Sequence, residues 1–152
     1  MRLYLIRHAH ALAIAPGGDP HRTLSPAGHA RAAALAEAFS ARAAPLDITP
    51  IRLFASAAVR AEQTAAPIAR ALSISIETDP RLGLSASAEL TEQLIAELIA
   101  AETPAAVLIG HNPDLSTIAH RFGGPHLAPG ELFIADVHPS GPHPRVQFIA
   151  QA

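Results

Sequence analysis

Lysine, cysteine and tryptophan are all absent from this chain of 152 residues, and aromatic residues make up only 4% of it. Without cysteine there is no disulfide framework and no thiolate metal site. Without lysine, all eleven fixed cations are arginines, against thirteen acidic residues. The formal net charge of -2 provides no basic field for nucleic acid. Long apolar runs are also missing. Hydrophobic residues reach 49%, but alanine makes up the excess, and no run approaches the ~20 residues needed to cross a bilayer. Arg7 and His8 interrupt the N-terminal apolar stretch and no small-residue cleavage site follows, which is the wrong shape for a signal peptide. The expectation is a cytoplasmic protein with neither membrane nor nucleic acid as partner, built as one domain over residues 1–152 with a substantial core.

What is present alternates between strands and helices. Arg2–Arg7 reads as a strand, and a loop with proline and glycine runs from Ala13 to Leu24. Ser25-Pro26 starts a helix, serine as N-cap and proline at the first helical position, that continues to about Ala43. Ile51–Ala55 predicts a second strand, Val59–Leu72 a helix and Ile74–Glu77 a short third strand. In Ala88–Ala101, Leu90, Leu94, Ile95, Leu98 and Ile99 recur at helical spacing. Ala105–Ile109 follows as a strand, and Pro113–Phe122 as a helix capped by Asn112. Glu131–Val137 and Val146–Ala150 form a closing hairpin around Pro139–Pro144. The expected fold is α/β, a three-layer αβα sandwich whose central sheet is mostly parallel, with an antiparallel hairpin at its C-terminal end.

Polar residues cluster where such a sheet binds its ligands. Arg7 and His8 end the first strand, Arg60 opens the helix after the second, and His111 follows Val107-Leu108-Ile109-Gly110 just before a helix. The carboxyl ends of parallel strands share one edge, so these four can meet. Paired guanidinium N–H groups suit the oxygens of a phosphoryl group, and helix N-termini add backbone N–H donors. Between such cations an imidazolium is disfavoured, which leaves a neutral imidazole able to attack phosphorus. A second imidazole can donate to a non-bridging oxygen, and no metal or other cofactor is required.

In order along the chain, Arg7-His8, Arg22-Thr23-Leu24-Ser25-Pro26-Ala27-Gly28, Arg60-Ala61-Glu62-Gln63-Thr64 and Val107-Leu108-Ile109-Gly110-His111-Asn112-Pro113 resemble the histidine phosphatase superfamily. More narrowly they resemble its SixA-type phosphohistidine phosphatases, over nearly the whole chain. The resemblance implies a phosphoglycerate mutase-like fold, with His8 as the nucleophile that becomes phosphorylated. It also implies that Arg7 and Arg60 clamp the phosphoryl oxygens and that His111 completes the pocket. Two positions depart from the pattern: Ala9 stands where the family usually has glycine, and Ser56-Ala57 where it often has Ser-Pro. A methyl group at position 9 crowds the phosphate if the backbone there needs a glycine conformation.

The superfamily's ester-cleaving members supply a carboxylic acid from a segment after the third strand; here that neighbourhood reads Asp79-Pro80-Arg81-Leu82-Gly83, without a glutamate. Asp19, ahead of Arg22, is the candidate substitute acid. An imidazole leaving group is protonated readily near neutral pH, whereas an alkoxide demands a stronger acid, so the expectation favours P–N over P–O cleavage. The expected partner is a protein carrying phosphohistidine, such as a phosphotransfer domain of a signalling chain. The alternatives are a phosphatase of small phosphate monoesters in the same pocket and a silent phosphate-binding module. Ser56 either orients Arg60 or simply ends its strand, and Glu62 and Gln63 read as packing and solvent-facing residues. His10 is placed at the pocket's edge; the remaining histidines are scattered, with no metal-ligand spacing.

Overall fold

The computed structural model describes residues 1–43, 50–139 and 145–151. Its elements are β1 (Arg2–Arg7), α1 (Pro26–Ala43), β2 (Ile51–Ala55), α2 (Val59–Leu72), β3 (Ile76–Thr78), α3 (Ala88–Ala100), β4 (Ala105–Gly110), α4 (Asp114–Arg121), β5 (Leu132–His138) and β6 (Arg145–Gln151). Single 3-10 turns lie at Asp19–His21 and Pro80–Leu82. The six strands form one sheet in the order β3-β2-β4-β1-β5-β6. Pairing is parallel from β3 through to β1 and antiparallel for β5 and β6. The expected architecture, parallel sheet and closing hairpin alike, is therefore present; residues 140–144 of the expected turn lie outside the described residues.

Both faces of the sheet are covered, and the side chains divide between them with the two-residue period of a strand. Leu3, Leu5, Phe54, Ala106, Leu108, Phe133 and Ala135 point to one side, where Leu94, Ile95 and Leu98 of α3 and Leu115 and Ile118 of α4 pack on them. Tyr4, Ile6, Leu53, Val107, Ile109 and Ile134 point to the other, against Leu35 and Phe39 of α1 and Ala61, Ala65 and Ile68 of α2. The alanine richness has a use here: small residues let α2 lie close to the sheet.

Several element limits differ from expectation by a residue or two, and two of these shifts have a visible cause. The third strand begins at Ile76, two residues late, because Ser73 takes a left-handed backbone (φ 54°) at the end of α2. That turn sends the Ile74 amide back to the Ala69 carbonyl (3.0 Å), so Ile74 belongs to the helix exit. The fourth helix begins at Asp114, one residue late, with Asn112 still serving its start: Oδ1 accepts from the Ser116 amide at 3.3 Å and from Ser116 Oγ at 2.8 Å.

The strand order places a topological switch point between β1 and β4. These neighbours run parallel, yet β1 leads through α1 to β2 on one side, and β4 leads through α4 to β5 on the other. At such a switch point the loops diverge and leave room for a ligand beyond the carboxyl ends.

Leu108 is fully buried at the centre of β4. Leu108→Ala should cost about 2–5 kcal/mol, read as a lowered urea midpoint with an unchanged m-value.

Candidate active site

Sheet pairing carries on past the strand ends and sets the polar residues in place. Arg7 is in register with Gly110, and the His8 amide donates to the Gly110 carbonyl at 3.0 Å. The Ser56 amide donates to the Ile109 carbonyl at 3.0 Å, and the Gly130 amide reaches the carbonyls of Arg7 (3.0 Å) and His8 (3.1 Å). His8 and His111 thus end adjacent strands, and their rings lie 5.0 Å apart between centroids, inclined at 57°. Arg60, in the first turn of α2, brings its Nε to 3.2 Å from His8 Nε2. The structure therefore brings together His8, Arg60 and His111, sets Arg7 beside them in register, and adds Asp19.

Hydrogen bonding fixes the His8 tautomer. Nδ1 lies 2.8 Å from the Ala9 carbonyl, which can only accept, so Nδ1 carries the proton. Nε2 faces the Arg60 guanidinium, which can only donate, so the lone pair is there. Burial pushes the His8 pKa down to about 4, opposed by the bond to Ala9 and assisted by Arg60, Arg7 and Arg22. The expected depression is present, although desolvation outweighs the cations in producing it. His111 is likewise pushed down to about 4, by burial first, then by His8 and Arg60. At neutral pH both rings are uncharged.

Residues that the sequence reading left in minor roles hold this arrangement. Ser56, fully buried, places Oγ 2.8 Å from His111 Nε2, so it serves the histidine and not Arg60. Thr64 stands one helical turn after Arg60; its hydroxyl donates to the Arg60 carbonyl (2.7 Å) and accepts from the Ala9 amide (3.0 Å). Gln63 accepts from the Leu24 amide at 2.7 Å, tying the loop to α2. The spacing Arg60-x-x-Gln63-Thr64 is the signal that could have grouped them, since i, i+3 and i+4 share a helix face. Arg7 Nη1 donates to the Leu127 carbonyl (3.1 Å), which Asn112 Nδ2 also engages (2.8 Å). Among the described residues, Arg7 Nε and His111 Nδ1 are buried with no hydrogen-bond partner.

Asp19 sits on the guanidinium of Arg60. Its carbonyl accepts from Arg60 Nη1 at 2.7 Å and its Oδ2 from Nη2 at 3.1 Å, while Oδ1 accepts from Arg22 Nη1 at 2.9 Å. Arg22 and Arg60 together hold its carboxyl below the usual range, so it is ionised at neutral pH. Ala9 does not crowd the site: it has no positive φ, and its methyl is fully buried against Leu24 and Ala32. Glycine is required elsewhere in the motif, at Gly28, where a Cβ would lie 2.0 Å from the His10 carbonyl. His10 itself is exposed, with Nδ1 2.8 Å from Ser25 Oγ. Among the described residues no group of three or more His, Asp or Glu side chains is placed to hold a metal ion, and no helix is long and apolar enough to cross a membrane.

A family model described as the histidine phosphatase superfamily (branch 1) matches residues 3–123. The chain belongs to that superfamily. Among solved structures it is similar to a protein provisionally assigned as the phosphohistidine phosphatase SixA of Agrobacterium tumefaciens, with 28% identity, a TM-score of 0.79 and coverage of 99% of this chain and 97% of that one. The protein histidine phosphatase SixA in complex with tungstate shares the fold at 20% identity, with a TM-score of 0.82 and coverage of 99% and 96%. So does a mycobacterial glucosyl-3-phosphoglycerate phosphatase, at 16% identity, TM-score 0.75 and coverage of 98% and 97%. No curated protein matches the sequence. Within this superfamily frame Asp79 is unremarkable as an acid: Arg81 binds both of its carboxylate oxygens (3.0 and 2.8 Å) and holds its pKa low.

Both histidines have a lower pKa folded than the ordinary 6.5, so the unfolded chain takes up their protons first. Their contribution to stability is complete above about pH 6.5 and is lost as the pH falls toward 4. Urea midpoints should drop across that window, and the drop should be shallower in His111→Asn.

Proposed function

We propose that this protein is a metal-independent phosphohistidine phosphatase in which His8 Nε2 attacks the phosphoryl group of a histidine on a phosphotransfer or signalling protein. The observation that carries the reading is the setting of His8, with Nδ1 on the Ala9 carbonyl and Nε2 facing the Arg60 guanidinium, while burial pushes its pKa down to about 4. The P–N bond to the substrate imidazole breaks as the bond to His8 Nε2 forms, and the leaving imidazole takes a proton from solvent. Water then hydrolyses phospho-His8, releasing phosphate and restoring the ring. Arg7 and Arg60 neutralise the phosphoryl oxygens, and His111 binds a non-bridging oxygen as negative charge develops.

Preference for the P–N bond follows from the carboxylates. Alkoxide departure needs a protonated acid, yet Asp19 and Asp79 are both held ionised by arginines. Asp114, whose carboxyl burial pushes up, lies against the start of α3 beside Ala88 and Glu89. We therefore assign Asp19 as the resting counter-anion of Arg60, displaced when a phosphoryl group arrives, and not as a proton donor. The likeness to SixA proteins supports the phosphohistidine reading. Cleavage of small phosphate monoesters is the second reading, favoured by the likeness to the glucosyl-3-phosphoglycerate phosphatase.

With chelator present throughout, the wild type should hydrolyse a phosphohistidine protein or phosphoramidate in preference to a panel of monoesters, and His8→Ala should fall to background. Faster ester turnover would overturn the substrate assignment. Asp19→Asn should bind tungstate about two- to fivefold more tightly in calorimetry, as expected for removal of a solvent-exposed competitor; loss of turnover with unchanged tungstate affinity would instead restore Asp19 as the acid.

A further inference from the structure

We infer that Ser56 is a positioning residue that fixes the proton of His111 on Nδ1, so that a neutral imidazole N–H is presented to the phosphoryl oxygens. This rests on the phosphatase reading for its purpose, though not for its geometry. Ser56 is 1% exposed and sits immediately after β2, its amide anchored to the Ile109 carbonyl two residues before His111. Its Oγ has two neighbours, the Ala58 amide at 3.2 Å and His111 Nε2 at 2.8 Å. The amide can only donate, so it uses a lone pair of Oγ. The hydroxyl proton then needs an acceptor, and among the described residues His111 Nε2 is the one it has. A neutral imidazole that accepts at Nε2 carries its proton at Nδ1.

That nitrogen is one of the buried atoms left without a partner. Folded proteins rarely leave a buried N–H unpaired, because desolvating it is costly. Arg7 Nε is in the same condition, so two buried N–H donors await acceptors. A ligand rich in oxygen supplies them. The opposite tautomer strands the serine proton and turns a lone pair toward an anion. His111 is uncharged at neutral pH, so its donor must come from tautomer choice and not from an imidazolium. His8 and His111 then share one tautomer and expose opposite nitrogens of it: His8 offers its lone pair and His111 its N–H.

The test is the long-range proton–nitrogen spectrum of protein labelled with nitrogen-15 at histidine, at neutral pH and without ligand, with His111 assigned by its absence in His111→Asn. We expect Nδ1 protonated in the wild type and in Ser56→Thr, which keeps the hydroxyl, and a shift toward Nε2 protonation in Ser56→Ala. Tungstate affinity should fall about three- to tenfold in Ser56→Ala and recover in Ser56→Thr. Nε2 protonation in the wild type, or a Ser56→Ala spectrum identical to it, overturns the inference. If Ser56→Ala does not fold, the wild-type spectrum still decides. Because the spectrum needs no substrate, a protein with Nδ1 protonated but no turnover would sink the phosphatase reading and leave this inference standing.

Discussion

Everything at the site depends on the parallel pairing of β1 with β4. That pairing sets Arg7 against Gly110 and extends one residue further through the His8 amide. Two histidines separated by more than a hundred positions come to neighbouring ends of two buried central strands. A register slip of one residue would turn Arg7 to the opposite face and leave His8 without its arginine. The register is strongly specified, because both faces of these strands are packed: Leu5 and Leu108 toward one helical layer, Ile6 and Ile109 toward the other. The core therefore contributes stability and also holds the ring-to-ring geometry.

The electrostatics follow from putting cations and neutral rings together out of water. Arg60 is 4% exposed, and its charge is met by Asp19 rather than by solvent. The histidines respond by giving up their protons, which suits a nucleophile and costs stability in acid. In the proposed reaction the guanidinium charge of Arg7 and Arg60 would meet the charge of the phosphoryl group.

Much of this was legible in the residues. A short apolar run ending in Arg7-His8 reads as a buried strand delivering both to a sheet edge, and alternation of strands and helices implied the parallel order that brings Arg60 and His111 to the same edge. The partner of Ser56 was not legible: a serine after a strand can turn to either neighbouring element, and only the packed sheet shows that it faces His111. Thr64 and Gln63 share a helix face with Arg60, yet spacing does not say that this face meets the Ala9 and Leu24 amides. At Ala9 the backbone has no positive φ, and the methyl is buried with Leu24 and Ala32. The Leu127 carbonyl that receives Arg7 and Asn112 carries no side-chain signal at all.

The contact between Arg60 Nε and His8 Nε2 has a kinetic meaning. It covers the lone pair on which the proposed reaction depends. A neutral electrophile meets a nitrogen already engaged by a cation. Under the proposed mechanism the Arg60 Nε donor must give way before Nε2 can bond to phosphorus, and a phosphoryl dianion would compete for that same guanidinium. In the proposed reaction, arrival of the phosphoryl group and release of the nucleophile would be a single event.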